Sequence, residues 1–206
     1  MFPATIQKLI DLFTKLPGIG PRQAARFVFF MLKNRLMASE ISAAVENLNK
    51  ITFCAQCFRA IEEKQEASLC SFCADKKREQ NLIAVIEKES DMQNLEKTGA
   101  YRGVYHILGG VISPLDSESP KNLHLKELFK RVKNILEREN KCEVILATST
   151  TTEGDTTALY IERILSPLKE SSPNFKISRL GRGLSLGAEL EYADEITLKN
   201  ALTNRK

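Results

Sequence analysis

Four of the five cysteines form two closely spaced pairs, Cys54-Ala-Gln-Cys57 and Cys70-Ser-Phe-Cys73, with twelve residues between them. Two such pairs can supply the four thiolates of the tetrahedral shell that structural Zn²⁺ prefers. The alternatives are two disulfides, which fit poorly in a chain that we predict is not exported, or a redox pair, which belongs at a strand-to-helix turn. We therefore predict one structural Zn²⁺ per chain, in a closed shell made by Cys54, Cys57, Cys70 and Cys73.

A second group of chemically capable residues is basic and lies near the amino terminus. Residues 1–37 contain six lysines and arginines but a single acid, Asp11, whereas the net charge of the whole chain is only +4. Such a cluster of positive charge indicates an anionic partner, for which nucleic acid is the first candidate and an acidic protein is the second. The fifth cysteine, Cys142, stands alone before an apolar run and is interpreted as a small, partly buried residue without reactivity.

The basic residues surround a turn that contains two glycines, and Pro21 is suited to open the helix that follows. At about 100° per residue, Arg22, Arg26 and Lys33 lie within roughly 40° of one another around that helix. Its free amides and positive dipole end could accept a phosphate. The alternative is a plain helical hairpin with solvated charges. We favour sequence-independent binding of the DNA backbone, and the predicted DNA-binding residues are Lys15, Gly18, Gly20, Arg22, Arg26 and Lys33.

These groups must be positioned by the predicted secondary structure. Apolar residues spaced by three and four predict helices at 6–16, 21–36 and 40–50. From residue 81 on, short apolar runs alternate with helical patterns, which predicts a mainly parallel sheet. Its strands are predicted at 82–86, 104–108, 144–147 and 175–180, and its helices at 90–97, 123–138 and 156–165. We predict an α+β protein in which a helical unit and a Cys₄ zinc segment precede an α/β domain.

No segment approaches the roughly 20 uncharged apolar residues of a membrane span, so we expect a soluble, cytoplasmic protein.

The order of these features resembles one known family. LPGIGPRQAARF is similar to the helix-hairpin-helix motif. Together with this motif and the paired cysteines, three further strings make nearly the whole chain resemble the RecR recombination mediators: TGAYRGVYHILGGVISPLD, EGDTTALYIERIL and LEYADEITL. The resemblance implies a bacterial, nucleoid-associated DNA-repair protein that forms homodimers or ring-like homotetramers. It also implies joint action with RecO and RecF in loading recombinase at single-stranded gaps. The expected divisions are a helix-hairpin-helix domain at 1–53, a zinc finger at 54–80, a Toprim domain at 81–178 and a segment for oligomer contacts at 179–206.

An enzyme is the competing hypothesis, because catalytic Toprim domains hold Mg²⁺ with a glutamate after the first strand and a DxD pair after a later one. Glu87 occupies the first position, but 148–152 reads TSTTT and contains no acid. Glu153 and Asp155 come at the entry to the next helix, where capping or dipole stabilisation is the simpler role. We therefore predict a non-enzymatic scaffold rather than a minimal Mg²⁺-dependent nuclease or primase-like enzyme. The resemblance further suggests that Glu87 and Glu153 form an acidic patch for a partner such as RecO.

Overall fold

The computed structural model describes residues 2–63, 68–116, 118–184, 187–203 and 205. The chain divides into two compact units, Met1–Thr52 and Phe53–Lys206. The finer division of the chain near residues 81 and 179 stays a prediction. Over the described ranges, no helix combines the length and the apolar character that a membrane crossing requires.

The first unit is helical. It contains α1 (Ala4–Phe13), α2 (Pro21–Lys33) and α3 (Arg35–Asn47), and a short 3₁₀ turn at Leu48–Lys50 follows. A small core forms where Ile10 of α1 meets Ala24 and Val28 of α2. The prediction placed the start of the third helix too late. The chain interrupts the helix at Asn34, where φ is −116° and ψ is 74°, and α3 begins at the next residue.

The second unit begins with short elements and continues with alternating strands and helices. Strand β1 (Ile51–Phe53), whose last residue is the first of this unit, pairs with β2 (Ala60–Glu62) in a two-stranded sheet, and α4 (Ser71–Ala74) follows. The remaining elements are β3 (Glu79–Ile86), α5 (Glu89–Lys97), β4 (Gly103–Ile107), α6 (Leu125–Glu139), β5 (Cys142–Leu146), α7 (Thr152–Ser171), β6 (Phe175–Arg179) and α8 (Glu195–Thr203), with 3₁₀ turns at Ser119–Asn122 and Leu190–Tyr192. The four predicted strands correspond to β3, β4, β5 and β6.

The larger sheet has the strand order β4-β3-β5-β6, and all three pairings are parallel. The predicted α+β class and parallel sheet are thereby confirmed. Ile83 and Val85 pack with residues of α6 and α7 on one face, whereas Ala84 and Ile86 pack on the other face with Met92 of α5. Burial on both faces explains why β3 is a continuous apolar run rather than an alternating one.

Candidate functional site

The four paired cysteines come together in the second unit. Their sulfur atoms all lie within 4.8 Å of one another, all four residues are buried, and Cys57 Sγ lies 3.4 Å from Cys70 Sγ. Tetrahedral coordination with metal–sulfur bonds of about 2.3 Å would separate the sulfurs by about 3.8 Å. The five cysteines, all within the described residues, are free. The donor set therefore fits a metal ion bound by four thiolates, and it does not fit two preformed disulfides.

Local backbone hydrogen bonds shape the first cysteine pair. The Phe58 N–H donates to the Cys54 carbonyl at 3.0 Å, and the Cys54 N–H donates to the Arg59 carbonyl at 2.8 Å. The Cys70 N–H donates to Cys54 Sγ at 3.3 Å, which links the two pairs. Hydrogen bonds from the three other thiols lower the pKa of the Cys54 thiol well below its ordinary value. The hydrogen bonds within the cluster also raise the pKa of Cys57 and Cys73, so the four thiols titrate as one coupled group, and a cation that binds them releases the protons they still hold.

The cysteine segment, described at residues 54–63 and 68–78, covers the outer edge of β4. The Ile107 N–H donates to the Cys57 carbonyl at 2.9 Å, and Arg78 Nη1 donates to the Gly103 carbonyl at 2.8 Å. Between them, Arg131 Nη1 donates to the Tyr105 carbonyl at 2.7 Å, and it also donates at 3.0 Å to the carbonyl of Gln56. Alternate residues of β4 therefore have partners along an edge that would otherwise be open.

Two aromatic contacts hold the same segment against the sheet. The Phe58 ring stacks on His124 at 3.7 Å with an interplanar angle of 11°, and it meets His106 edge-on at 5.4 Å. Phe58 takes a positive φ of 64°, which is uncommon for a bulky residue. Burial lowers the pKa of His106 to about 3, so the ring is neutral. Its Nε2 donates to the His124 carbonyl at 2.8 Å, and His106 is thus a structural residue.

An ionic network joins the exit of the cysteine segment to α5. Arg78 donates to both carboxylate oxygens of Glu96, at 2.9 and 2.7 Å, and the Tyr105 hydroxyl donates to the same carboxylate. Burial by itself would raise the pKa of Glu96, but the hydrogen bonds from Arg78 and Tyr105 outweigh it and lower the pKa. The Arg78 guanidinium also lies 4.5 Å from the centre of the Phe72 ring. The network has no local sequence signal, because its members are far apart along the chain.

Glu87 follows β3 at the point where the strand order changes direction, which is where ligands bind in many open α/β sheets. Here the carboxylate is buried and already bonded. Its Oε1 accepts from the Ser149 N–H at 2.6 Å, and its Oε2 accepts from the Ser149 hydroxyl at 2.8 Å. A Cβ on Gly154 would lie 3.0 Å from Glu87 Oε1 and 2.1 Å from the Ser149 carbonyl oxygen. Ser149 is not among the predicted site residues, although its position three residues after the end of β5 is the signal that could have found it.

The other two acids of interest lie in the first turn of α7, which begins earlier than predicted because Thr151 caps it by accepting from the Gly154 N–H at 3.1 Å. Asp155 contacts Arg182 and, at 3.3 Å, Arg179. The hydrogen bond from Arg182 lowers the pKa of Asp155. Glu153 is exposed. Within the described ranges, the cysteines form the one group of three or more metal-binding side chains.

The two predicted members of the acidic patch thus have different surroundings. Glu153 is on the surface, whereas Glu87 is only 7% exposed. The patch stays a prediction, and the burial of Glu87 weighs against a direct contact by that residue.

The predicted basic stripe belongs to the first unit. Gly20 is the N-cap of α2, and Pro21 opens the helix as expected. Lys15, Arg22, Arg26 and Lys33 are all exposed, and the described part of the chain places no carboxylate within ion-pair distance of these four side chains.

The two glycines of the turn differ in what the fold requires of them. Gly18 has a φ of +80°, in the left-handed region that favours glycine. Gly20 has an ordinary φ of −83°, and a Cβ built on it would meet nothing within 4 Å. The fold therefore accounts for the glycine at position 18 but not for the one at position 20. An absent side chain at the start of α2 leaves the helix amides open to an approaching anion.

Comparison with family models assigns three consecutive regions of the chain. Residues 6–48 match the helix-hairpin-helix region of RecR, residues 81–181 match the Toprim domain, and residues 183–206 match the C-terminal region of RecR. These matches place the chain among proteins that combine a helix-hairpin-helix with a Toprim domain.

Full-length relatives define the family. The chain is 40% identical over 207 residues to the recombination protein RecR of Cutibacterium acnes, covering 100% of this chain and 96% of that protein. It is 39% identical over 206 residues to the recombination protein RecR of Staphylococcus aureus, covering 99% of this chain and 98% of that protein. The chain belongs to the RecR family, as its sequence motifs predicted.

Proposed function

We propose that this chain is a non-enzymatic, DNA-binding scaffold of recombinational repair. The observation that carries the proposal is the exposed basic stripe beside a turn whose second glycine the fold does not require. Helix amides and neighbouring cations are suited to phosphate groups, whereas the short turn offers few side chains able to reach base edges. The protein therefore binds the DNA backbone with little sequence preference, through Lys15, Gly18, Gly20, Arg22, Arg26 and Lys33.

The metal of the cysteine cluster is proposed to be Zn²⁺, one ion per chain. Four thiolates in a tetrahedral arrangement are typical of structural zinc, and Cys54, Cys57, Cys70 and Cys73 would hold it. When bound, the ion neutralises thiolate charge and crosslinks the cysteine segment. The attachment of that segment to the sheet is made by protein residues, because Cys57, Arg78 and Phe58 connect it to β4 and to the histidines beside β4.

We propose that the protein has no catalytic activity because the Glu87 carboxylate is already hydrogen-bonded within the protein. A hard cation such as Mg²⁺ needs several oxygen ligands, but the Glu87 carboxylate is occupied by Ser149, and Asp155 is bonded to arginines. The competing enzyme hypothesis predicts Mg²⁺-dependent cleavage of DNA that disappears in Glu87→Gln. We expect no cleavage by wild-type protein, and cleavage that is lost in this variant would overturn the scaffold proposal.

Family membership supports the finer parts of the proposal. The protein works in the bacterial cytoplasm as a homodimer or ring-like homotetramer. With RecO- and RecF-type proteins, it promotes loading of recombinase at single-stranded gaps. Glu153 remains the better candidate of the two predicted acids for a partner contact, since it is exposed.

The DNA-binding proposal is tested by combining Arg22→Ala with Arg26→Ala. Each phosphate contact that is lost should lower the slope of log affinity against log salt by about one unit, so the double variant should lose about two units. Fluorescence anisotropy with labelled duplexes of unrelated sequence measures the slope and should show a uniform loss. A matched control removes two exposed cations of the same unit that lie on other helices, Lys8 and Arg35.

The comparison is made at equal protein concentration with the oligomeric mass checked, because several copies of the stripe on one duplex add avidity. An unchanged slope in a correctly assembled Arg22/Arg26 variant would refute DNA binding through the stripe. An equal loss in the Lys8/Arg35 control would show that only total charge matters.

A further inference from the structure

Helices α6 and α7 leave a groove on the surface of the second unit. Leu125 and Phe129 lie one turn apart on α6, Tyr160 and Ile164 lie one turn apart on α7, and all four side chains line a cavity of about 400 Å³. Residues four apart share one face of a helix, so two apolar ridges border the groove. Leu125 is buried in the main core, whereas Tyr160 is 39% exposed. The groove is thus a surface feature with a firmly packed floor.

The rim of this groove is basic. Lys121, Lys126 and Lys130 line the same cavity, and no described carboxylate does so. Lys121 pairs with Glu118 at 2.6 Å, but their side chains are 71% and 63% exposed, and such surface pairs contribute little. For the other two lysines, the described residues offer no carboxylate within ion-pair distance. Positive charge therefore borders the apolar cavity, and among the described residues Lys121 alone of the three lysines has an acidic partner, in an exposed pair.

We propose that this lysine-rimmed groove docks an acidic peptide segment of a partner protein, with one bulky apolar side chain of the peptide inserted between α6 and α7. Carboxylates of the peptide contact the three lysines, and the inserted side chain buries apolar surface against Phe129 and Tyr160. This partner site goes beyond the DNA-binding scaffold and does not depend on it. It also differs from the predicted acidic patch in the charge of the partner that it selects.

A single nucleic-acid strand is the less favoured occupant. Strand-binding grooves place cations along a track of successive phosphates and offer stacking platforms to successive bases. Here three lysines surround one cavity rather than a track, and its apolar lining combines aliphatic Leu125 and Ile164 with aromatic Phe129 and Tyr160. A compact apolar anchor flanked by carboxylates matches this arrangement better than an extended polyanion.

The probe for the test is a fluorescein-labelled peptide in which aspartates flank one phenylalanine, measured by anisotropy against the full-length protein. We expect saturable binding that weakens by about tenfold or more when Lys126→Glu and Lys130→Glu are combined, which corresponds to about 1.4 kcal/mol. The matched control, Lys133→Glu with Lys169→Glu, changes two exposed lysines of the same helices outside the cavity and should leave the affinity within about twofold.

Two further arms locate the binding and protect the test against misfolding. Acidic side chains are compatible with the first turns of a helix, so the Lys126/Lys130 variant should fold. It should also bind a peptide with lysines in place of the aspartates better than wild type does. Hydrogen exchange on wild-type protein with the acidic peptide should slow in the facing parts of α6 and α7.

Several outcomes would overturn the proposal. They are no saturable binding of the acidic peptide to wild-type protein, equal binding of a peptide with glycine in place of phenylalanine, and unchanged affinity in the Lys126/Lys130 variant. The same holds if that variant loses affinity for a single-stranded oligonucleotide but not for the peptide, since the groove would then be a nucleic-acid site.

Discussion

Replacing Gly20 with alanine separates a role in folding from a role in binding. The backbone at Gly20 suits any residue, and the new methyl group has open space around it. Loss of glycine at the N-cap costs about 0.5–1 kcal/mol, and the reduced entropy of the unfolded chain offsets this by about 0.4–1 kcal/mol. The free energy of unfolding should therefore change by less than about 0.5 kcal/mol.

The effect of Gly20→Ala on DNA should be much larger. If a phosphate approaches the amides at the start of α2, the methyl group obstructs a charge-assisted hydrogen bond worth about 1.5–3 kcal/mol. The affinity for duplex DNA should then fall about 10- to 100-fold. Urea unfolding measures the first quantity, and anisotropy at fixed salt measures the second.

Gly18→Ala is the matched comparison, because its φ of +80° is strained for alanine. That variant should lose about 1–2 kcal/mol of stability. The reasoning is refuted if Gly20→Ala binds DNA like wild type while it folds normally, or if it is as unstable as Gly18→Ala.

Three further predictions concern the second unit. Cys73→Ser should reduce bound zinc from about one ion per chain to well below that value and speed hydrogen exchange in the cysteine segment; retained stoichiometric metal would contradict the four-thiolate site. Glu96→Gln should lower the free energy of unfolding at neutral pH by about 1.5–3 kcal/mol. Since the folded protein lowers the pKa of Glu96 below its ordinary 4.5, the contribution is present above that pH and is lost in acid. Urea unfolding of both proteins should show the difference shrinking as pH falls, and a pH-independent difference would exclude the carboxylate as its source. Gly154→Ala forces a Cβ to 2.1 Å from the Ser149 carbonyl oxygen and should cost about 1–3 kcal/mol in thermal unfolding, so an unchanged midpoint would contradict the crowding.

Much of the fold follows from local signals in the sequence. Apolar runs buried on both faces identify the strands of the parallel sheet, and Pro21 marks the start of α2. The spacing of the cysteines also predicts a cluster that the structure brings together. These features depend on residues that are close in sequence or of one strongly characteristic type.

Other features depend on tertiary contacts and have no such signal. The short strands β1 and β2 lack enough residues for a period, and they lie beside the cysteine cluster that organises their surroundings. The break at Asn34 comes within a stretch whose apolar pattern would continue a helix. The hydrogen bonds between Glu87 and Ser149 join segments that follow two different strands, β3 and β5. Sequence periodicity reports which face of an element is buried, but not which polar groups meet across elements.

The position of the cysteine segment along β4 has a consequence for the behaviour of the protein in a cell. β4 is an edge strand whose five residues are all buried, and an uncovered apolar edge is a template for pairing with another chain. The Cys57 carbonyl and Arg78 cover that edge only while the segment is ordered. Because we expect the bound metal to order this segment, the metal supply during synthesis should determine how much of the newly made chain aggregates. Zinc-starved cells should therefore accumulate the protein in the insoluble fraction before the soluble protein shows any measurable loss of DNA affinity.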